Sequence, residues 1–151
     1  AAYDYFGYSV AIHGDTLVVG TQYDNNGLHA YVFVRSGGEW SHQAKLLAPD
    51  GAAGDQFGTS VAIHGETIVA GAPWDGDNGF ESGSAHVFVR RGRVWTHQAK
   101  LQAPDGTTLD MFGKSVAIYQ DTIVVGAQHG GDNRIFSGSA HVFVRSGEEW
   151  A

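Results

Sequence analysis

The stretch FGTSVAIHGETIVAGAP, residues 57–73, decides the fold because closely similar stretches occur twice more in the chain. The other copies run from Phe6 to Gly20 and from Phe112 to Gly126, and in every copy the phenylalanine and the glycine are 14 residues apart. Each copy holds two apolar runs joined by a link of three residues, which is typical of two short strands in a β-hairpin. A segment that recurs at constant length is a structural repeat.

The first two copies are each followed by two further runs, which are AHVFVR at 85–90 and THQAKLQAP at 96–104 in the second copy, and the third copy is followed by AHVFVR at 140–145. Four antiparallel strands in a unit of about 50 residues predict an all-β fold made of β-propeller blades. The blades are expected at 1–51, 52–106 and 107–151. The chain ends before the fourth strand of the last blade, so the sequence predicts three blades of which the third is incomplete.

The repeated apolar positions predict where the core lies. We expect Val10, Val18, Phe33 and the equivalent residues of the other copies to be buried between blades, because the same apolar pattern occurs three times. Tryptophan also recurs at intervals of 55 residues, and we expect these side chains in the blade core as well: Trp40, Trp95 and Trp150.

Composition and charge exclude several classes of partner. The formal net charge is −7 and lysine and arginine are not clustered, which argues against nucleic acid and against an anionic membrane surface. The chain has no cysteine and therefore no disulfide or cysteine-ligated zinc. No apolar run approaches the ~20 residues that a membrane-spanning helix needs, so we expect no membrane insertion.

Phe57-Gly58 followed by Gly71-Ala72-Pro73 resembles the FG-GAP repeat, the blade of integrin α-chain propellers and of many bacterial relatives. The resemblance covers essentially the whole chain. It implies a non-catalytic binding or adhesion module that is extracellular or displayed at the cell surface. The other two copies depart from the motif and read Gly-Thr-Gln at 20–22 and Gly-Ala-Gln at 126–128.

The long loops after the second and fourth strands of each blade emerge on one face, and this loop-rich face is the candidate binding surface. A protein partner or a glycan is the expected ligand. The aromatic residues among the candidates are equally compatible with burial against a neighbouring blade, and the Asp and Asn residues with turn formation. The candidate ligand-binding residues are Tyr23, Asp24, Asn25, Trp74, Asp75, Asp77, Asn78, Phe80, His129, Asp132 and Asn133.

Calcium is the one cofactor for which the sequence offers oxygen ligands, and Asp75 with Asp77 in the longest loop are the candidates. Many relatives carry a calcium loop between the first two strands, but this link is here only HGD, HGE or YQD. We therefore expect no tightly bound calcium there. Asp4, Asp55 and Asp110 each lie two residues before a repeat phenylalanine, and this recurrence favours a structural role in capping the loop backbone.

No pattern of catalytic residues stands out, so we predict that the chain is not an enzyme. Six of the eight histidines occupy repeat positions, and only His29 and His129 lie irregularly in variable loops. Two alternatives to a protein-binding module remain open. One is a lectin-type, carbohydrate-binding propeller that uses Trp74 and Tyr23, and the other is a structural domain of a larger surface enzyme.

Three blades are too few to close a ring, because propellers have 4–8 blades. An open array leaves two apolar flanks in water, together with a strand edge on AHVFVR of the third copy. Either the chain is a piece of a longer propeller, or chains associate to complete one. We expect the isolated chain to self-associate, most simply as a dimer that forms a six-bladed ring.

Overall fold

The computed structural model describes residues 5–22, 29–130 and 137–151, which form three antiparallel sheets of four strands each. Blade 1 consists of β1 (Ser9–His13), β2 (Thr16–Gly20), β3 (Ala30–Ser36) and β4 (Glu39–Leu46). Blade 2 consists of β5 (Ser60–His64), β6 (Thr67–Ala72), β7 (Ser84–Arg91) and β8 (Val94–Leu101). Blade 3 consists of β9 (Phe112–Tyr119), β10 (Thr122–Ala127), β11 (Ser139–Ser146) and β12 (Glu149–Trp150). A short 3₁₀ turn (Ala53–Asp55) precedes blade 2. The described residues contain no helix long and apolar enough to cross a membrane.

Each blade is a meander in which every strand pairs with the next along the chain. The predicted hairpins are confirmed: Ser60 pairs with Gly71 and His64 with Thr67, and β1 and β2 pair in the same register. The turn needs a left-handed residue, which Gly65 supplies in blade 2 at φ 56°. The all-β class and the three repeated units therefore follow directly from the repeated sequence.

The third blade differs from the prediction at its outer edge. Its fourth strand is short rather than missing, because Glu149 and Trp150 pair with Ser146 and Arg145. Most of the β11 edge beyond this short pairing has no neighbouring strand in the described chain.

Two apolar cores lie between the blades. In the first, Val18 and Val32 of blade 1 pack against residues of blade 2 such as Ile68 and Phe88. In the second core, Val69 of blade 2 packs against buried apolar residues of blade 3. All six residues of β6 are buried because blade 2 is covered on both faces.

The prediction that every equivalent apolar position is buried is wrong at the two ends of the array. Val10 is 69% exposed, whereas its equivalent Val61 is 8% exposed. Val124 on the far side of blade 3 is also exposed, although its equivalent Val18 is buried. The reason is that the outer faces of blades 1 and 3 have no neighbouring blade in the chain.

The tryptophan prediction also needs correction. Trp95 and Trp150 are half-buried and pack against the cores, but Trp40 is exposed. Trp95 Nε1 donates to Gln43 Oε1 of the preceding blade at 2.8 Å, and Trp150 Nε1 donates to Gln98 Oε1 at 2.9 Å. The tryptophan therefore belongs to a contact between blades, and blade 1 has no preceding blade in the chain.

Candidate functional site

Two loops of blade 2 lie side by side on the loop-rich face and form a continuous surface. The first follows β6 and spans 76–83; the second follows β8 and spans 104–111. Their backbones are joined by hydrogen bonds from Leu109 N to Phe80 O at 2.9 Å and from Met111 N to Glu81 O at 3.1 Å. A third bond joins the start of β9 to the end of the first loop. We call this pair of segments the paired loops.

The paired loops contain an unusual group of left-handed residues. Glu81, Leu109 and Met111 have φ values of 53°, 71° and 55°. Such values are uncommon for residues other than glycine and are unfavourable for a bulky side chain. Two of these residues are donors in the bonds between the loops, which offset the cost. Tyr5 and Gln56, which precede the repeat phenylalanines of the other copies, are also left-handed, so the conformation of Met111 belongs to the repeat, whereas those of Glu81 and Leu109 are particular to the paired loops.

The paired loops present apolar side chains to solvent. Phe80 is 67% exposed, and Leu109 on the partner loop is exposed as well. The backbone hydrogen bond between these two residues fixes their relative position. The exposed residues Asp77 and Asn78 lie shortly before Phe80 in the same loop. The paired loops therefore expose an apolar surface that polar residues surround. Hydrogen bonds between the loops hold the backbone that carries this surface.

Asp75 is a buried residue at the base of the first loop, which it stabilises. Its carboxylate accepts hydrogen bonds from the Asp77 backbone N–H at 2.9 Å and from Ser84 Oγ at 2.6 Å. Lys100 Nζ lies 2.8 Å from the same carboxylate. Burial alone would raise the pKa of Asp75, but the bonds from Lys100 and Ser84 outweigh it and hold that pKa below its usual value.

The Lys100 ammonium group is shared by three carboxylates. Besides Asp75 it contacts Asp50 of blade 1 at 2.8 Å and Asp77 at 2.7 Å. Burial lowers the pKa of Lys100, but the hydrogen bonds to the three aspartates outweigh that effect and raise it above its usual value. Lys100 therefore links blade 1 to the loop of blade 2.

This arrangement bears on the calcium hypothesis. Asp75 and Asp77 do face a common cation, but in the structure that cation is the side chain of Lys100. Within the described residues, no group of three or more His, Asp or Glu side chains has a geometry that holds a metal ion. Calcium at Asp75 and Asp77 stays a prediction, and its binding requires displacement of the ammonium group.

A buried polar chain continues from Asp75 into blade 2. Ser84 Oγ lies 3.2 Å from His86 Nε2, and His86 Nδ1 lies 3.0 Å from His97 Nε2. Burial, followed by repulsion from His97, lowers the pKa of His86 to about 4. Although serine and histidine are in contact, both are buried, so a substrate has no access to Ser84 Oγ. The contact between this serine and this histidine therefore has a structural role at the base of the paired loops.

Trp74 is half-buried, and its Nε1 is buried without a hydrogen-bond partner among the described residues. Its backbone N–H donates to Asp55 O at 3.2 Å, and the N–H of His129 donates to Asp110 O at 3.2 Å. Trp74 and His129 therefore occupy equivalent positions, and the sequence places Tyr23 there in the first repeat. Histidine does not recur at this position, but the position itself belongs to the repeat, which counting three residues from each repeat glycine would have shown.

The predicted caps are confirmed where the structure describes them. Asp55 Oδ2 accepts a hydrogen bond from the Ala52 backbone N–H at 2.7 Å, and Asp110 Oδ2 accepts one from that of Thr107 at 2.6 Å. Both side chains stabilise the loop that precedes a repeat phenylalanine. Asp4, the equivalent in the first copy, lies outside the described residues.

The candidate residues divide into two groups. Trp74, Asp75, Asp77, Asn78 and Phe80 come together in the first of the paired loops or at its base, and His129 lies in the corresponding segment of blade 3. The other candidates lie outside the described residues: Tyr23, Asp24, Asn25, Asp132 and Asn133. Sequence reasoning missed the supporting residues Lys100, Ser84, His86 and Leu109.

Comparison with known proteins supports the architecture. The family model of the FG-GAP repeat matches residues 1–33, 40–88 and 95–143. The second and third matches each run from the fourth strand of one blade to the third strand of the next. No curated protein matches the chain. With three matched repeats that together cover most of its length, the chain belongs to the FG-GAP repeat family.

Proposed function

We propose that this chain is a non-catalytic binding and adhesion module that contacts a protein partner through the paired loops. Membership of the FG-GAP repeat family supports a propeller-type module, and the adhesive role is inferred from the resemblance to integrin α-chain propellers. The same relationship supports an extracellular or cell-surface location.

The exposed Phe80 is the observation that carries the proposal. An exposed aromatic ring on a mobile loop costs conformational entropy when it is ordered by a partner. Here the Phe80 carbonyl accepts a hydrogen bond from Leu109, and Asp75 holds the base of the loop. The backbone that carries the Phe80 ring is therefore held in place, and aromatic residues, including phenylalanine, are enriched in protein interfaces.

The surroundings of Phe80 favour a protein over a glycan. Phe80 and Leu109 form an exposed apolar surface that suits an apolar side chain of a protein, although Asp77 and Asn78 near Phe80 also offer hydrogen bonds to a sugar. Of the two aromatic residues on which the carbohydrate hypothesis depends, Trp74 is half-buried and Tyr23 lies outside the described residues. Asp77 and Glu81 flank the patch, and the chain carries a net charge of −7. We therefore expect a partner with an apolar side chain surrounded by lysine or arginine.

The test is selection of a random-peptide display library on the immobilised wild-type chain, after which the affinity of each selected peptide is measured for the wild type and for the Phe80→Ala/Leu109→Ala variant. We expect selected peptides to carry an apolar residue flanked by lysine or arginine. Their affinity should fall about thirty-fold for the double variant, since a central aromatic contact contributes about 2 kcal/mol. The control is Val94→Ala, which removes an exposed apolar side chain of β8 away from the paired loops.

Two results would contradict the proposal. The first is a set of peptides that bind wild-type and double-variant chains equally well. The second is specific binding on a glycan array that depends on Trp74, which would establish the carbohydrate-binding alternative.

A further inference from the structure

Blade 3 has an open cavity at the position where the other blades receive their neighbour. The cavity has a volume of about 520 Å³ and is lined by Ser115, Gly126, Ala127 and Ser139, among others. We call it the blade-3 cavity. It lies at the end of β10 that carries Gly126, the glycine that closes the repeat.

The equivalent places on blades 1 and 2 are filled by backbone of the next blade. A β-carbon added at Gly20 would lie 1.9 Å from the carbonyl oxygen of Gly58, and one added at Gly71 would lie 1.9 Å from that of Gly113. At Gly126 the nearest atom among the described residues is Ser115 Oγ of the same blade. Close backbone approach therefore requires glycine at the first two positions, and at the third no backbone of another blade approaches within the described part of the chain.

A hydrogen bond also recurs at each filled position. Ser9 Oγ donates to Gly58 O at 2.7 Å, and Ser60 Oγ donates to Gly113 O at 2.8 Å. Ser115 is the equivalent serine in blade 3. The blade-3 cavity therefore fits a Phe-Gly segment, and the carbonyl of that glycine would accept a hydrogen bond from Ser115.

The chain itself carries such a segment in the required conformation. Gly7 has a φ of 90°, against 89° at Gly58 and 92° at Gly113. Gly7 N donates to Gly20 O at 3.1 Å, as Gly58 N donates to Gly71 O at 2.9 Å. The segment is thus preorganised, which lowers the cost of binding.

The phenylalanine of this segment is not covered. Phe6 is 57% exposed, whereas Phe57 and Phe112 are buried. Ile12 on the same flank is also exposed, although its equivalent Ile63 is buried. The blade 1 flank therefore presents the residues that blades 2 and 3 bury against their preceding blade.

The flank of blade 3 supplies the opposite half of the same junction. Val142 is exposed there, and its equivalents Val32 and Val87 are fully buried against the following blade. The two flanks are different and complementary, so the contact they make is head to tail rather than between identical patches.

We propose that two copies of this chain associate head to tail, with Phe6 and Gly7 of each copy bound in the blade-3 cavity of the other, and close a six-bladed ring. Two copies of this three-blade unit contribute six blades, which lies within the 4–8 blades that propellers have. Each of the two interfaces repeats the junction already present twice within one chain. This inference is independent of the ligand that the paired loops bind.

The first experiment is light scattering of the purified chain at micromolar concentration, together with single substitutions on each flank. We expect wild-type protein to have twice the 16.1 kDa of one chain. Val10→Lys and Val142→Lys should each give folded monomers, because both side chains are exposed within the chain and buried only in the ring. Val94→Lys is the matched control and should stay dimeric, since Val94 is exposed even though blade 2 is flanked on both sides.

The second experiment distinguishes a head-to-tail contact from other dimers. A mixture of the Val10→Lys and Val142→Lys chains retains one intact pair of flanks, so we expect it to form a heterodimer although neither chain dimerises alone. A wild-type monomer at micromolar concentration would overturn the proposal. So would a dimer that both flank substitutions leave intact, or two monomeric variants that do not associate when mixed while both retain the circular dichroism spectrum of the wild type.

Discussion

Trp95 of blade 2 donates its indole N–H to Gln43 of blade 1 at 2.8 Å, and the same pair recurs between Trp150 and Gln98 at 2.9 Å. The Arg90 guanidinium group lies 5.0 Å from the centre of the Trp95 ring and donates to the same glutamine oxygen at 3.1 Å. The blade junction therefore combines an apolar core with a repeated polar contact at its outer edge.

Substitution of Trp95 by phenylalanine should lower the free energy of unfolding by about 1 kcal/mol, the usual net contribution of one hydrogen bond. The matched control is Trp40→Phe. Trp40 also lies under an arginine, but in the described part of the chain its indole makes no hydrogen bond. We expect the control to change stability by less than half as much in urea denaturation. Equal losses for the two variants would show that the indole N–H does not matter.

Removal of the Lys100 charge should be far more damaging than removal of a surface lysine. Lys100→Met leaves the buried Asp75 carboxylate without its counter-ion, and loss of one partner of a buried pair costs about 3–5 kcal/mol. Lys45 occupies the equivalent position in blade 1 and is exposed. Lys45→Met should cost less than about 1 kcal/mol. Thermal or urea denaturation of the two variants checks this, and similar losses would contradict the role assigned to Lys100.

Stability should fall as the pH is lowered from about 6.5 towards 4. Burial lowers the pKa of His86 to about 4 in the folded chain, from an ordinary value of 6.5. The unfolded chain therefore binds a proton first as the pH falls. The stabilising contribution of neutral His86, at most about 3 kcal/mol, is fully present above pH 6.5 and is lost as the pH falls to 4. His97, whose pKa burial also lowers, acts in the same direction.

The variant His86→Asn isolates this effect. It should be less stable at neutral pH but show a flatter dependence of unfolding free energy on pH between about 4.5 and 6.5, the window in which the unfolded chain takes up the proton first. The aspartates with lowered pKa values titrate mainly below this window, so they do not explain the slope. An unchanged slope in His86→Asn would mean that another group is responsible.

Calcium should have no effect on thermal stability. The links between the first two strands of each blade are too short to surround an ion that takes six to eight oxygen ligands. At Asp75 and Asp77 the Lys100 ammonium group already lies within contact distance of both carboxylates, so a calcium ion would have to displace it. Melting curves with chelator and with added calcium should therefore coincide. A rise in melting temperature with calcium that Asp77→Asn abolishes would establish the metal site instead.

The sequence predicts the strands well because each repeat has the same apolar pattern and the same turn. It predicts burial less well at the ends of the array, since Val10 and Val61 have the same local pattern but only Val61 has a blade against it. Topology locates the paired loops, and Phe80 is a candidate because it lies in the longest loop. The role of Lys100 could not be predicted, because the alternating pattern of its strand does not indicate which distant carboxylates the lysine side chain contacts.

The coverage of blade 2 on both faces has a consequence for the order in which the chain opens. In a repeat array, stability is close to a sum of the stability of each unit and of its nearest-neighbour interfaces. Blade 2 takes part in two interfaces and the outer blades in one each. In chains kept monomeric by Val10→Lys, the amides of β6 and β7 should therefore exchange with deuterium more slowly than those of β2 and β10. Ring closure should remove this difference in exchange rate between the middle blade and the outer blades. Deuterium exchange of each strand would then show whether the two ends of the array are in contact.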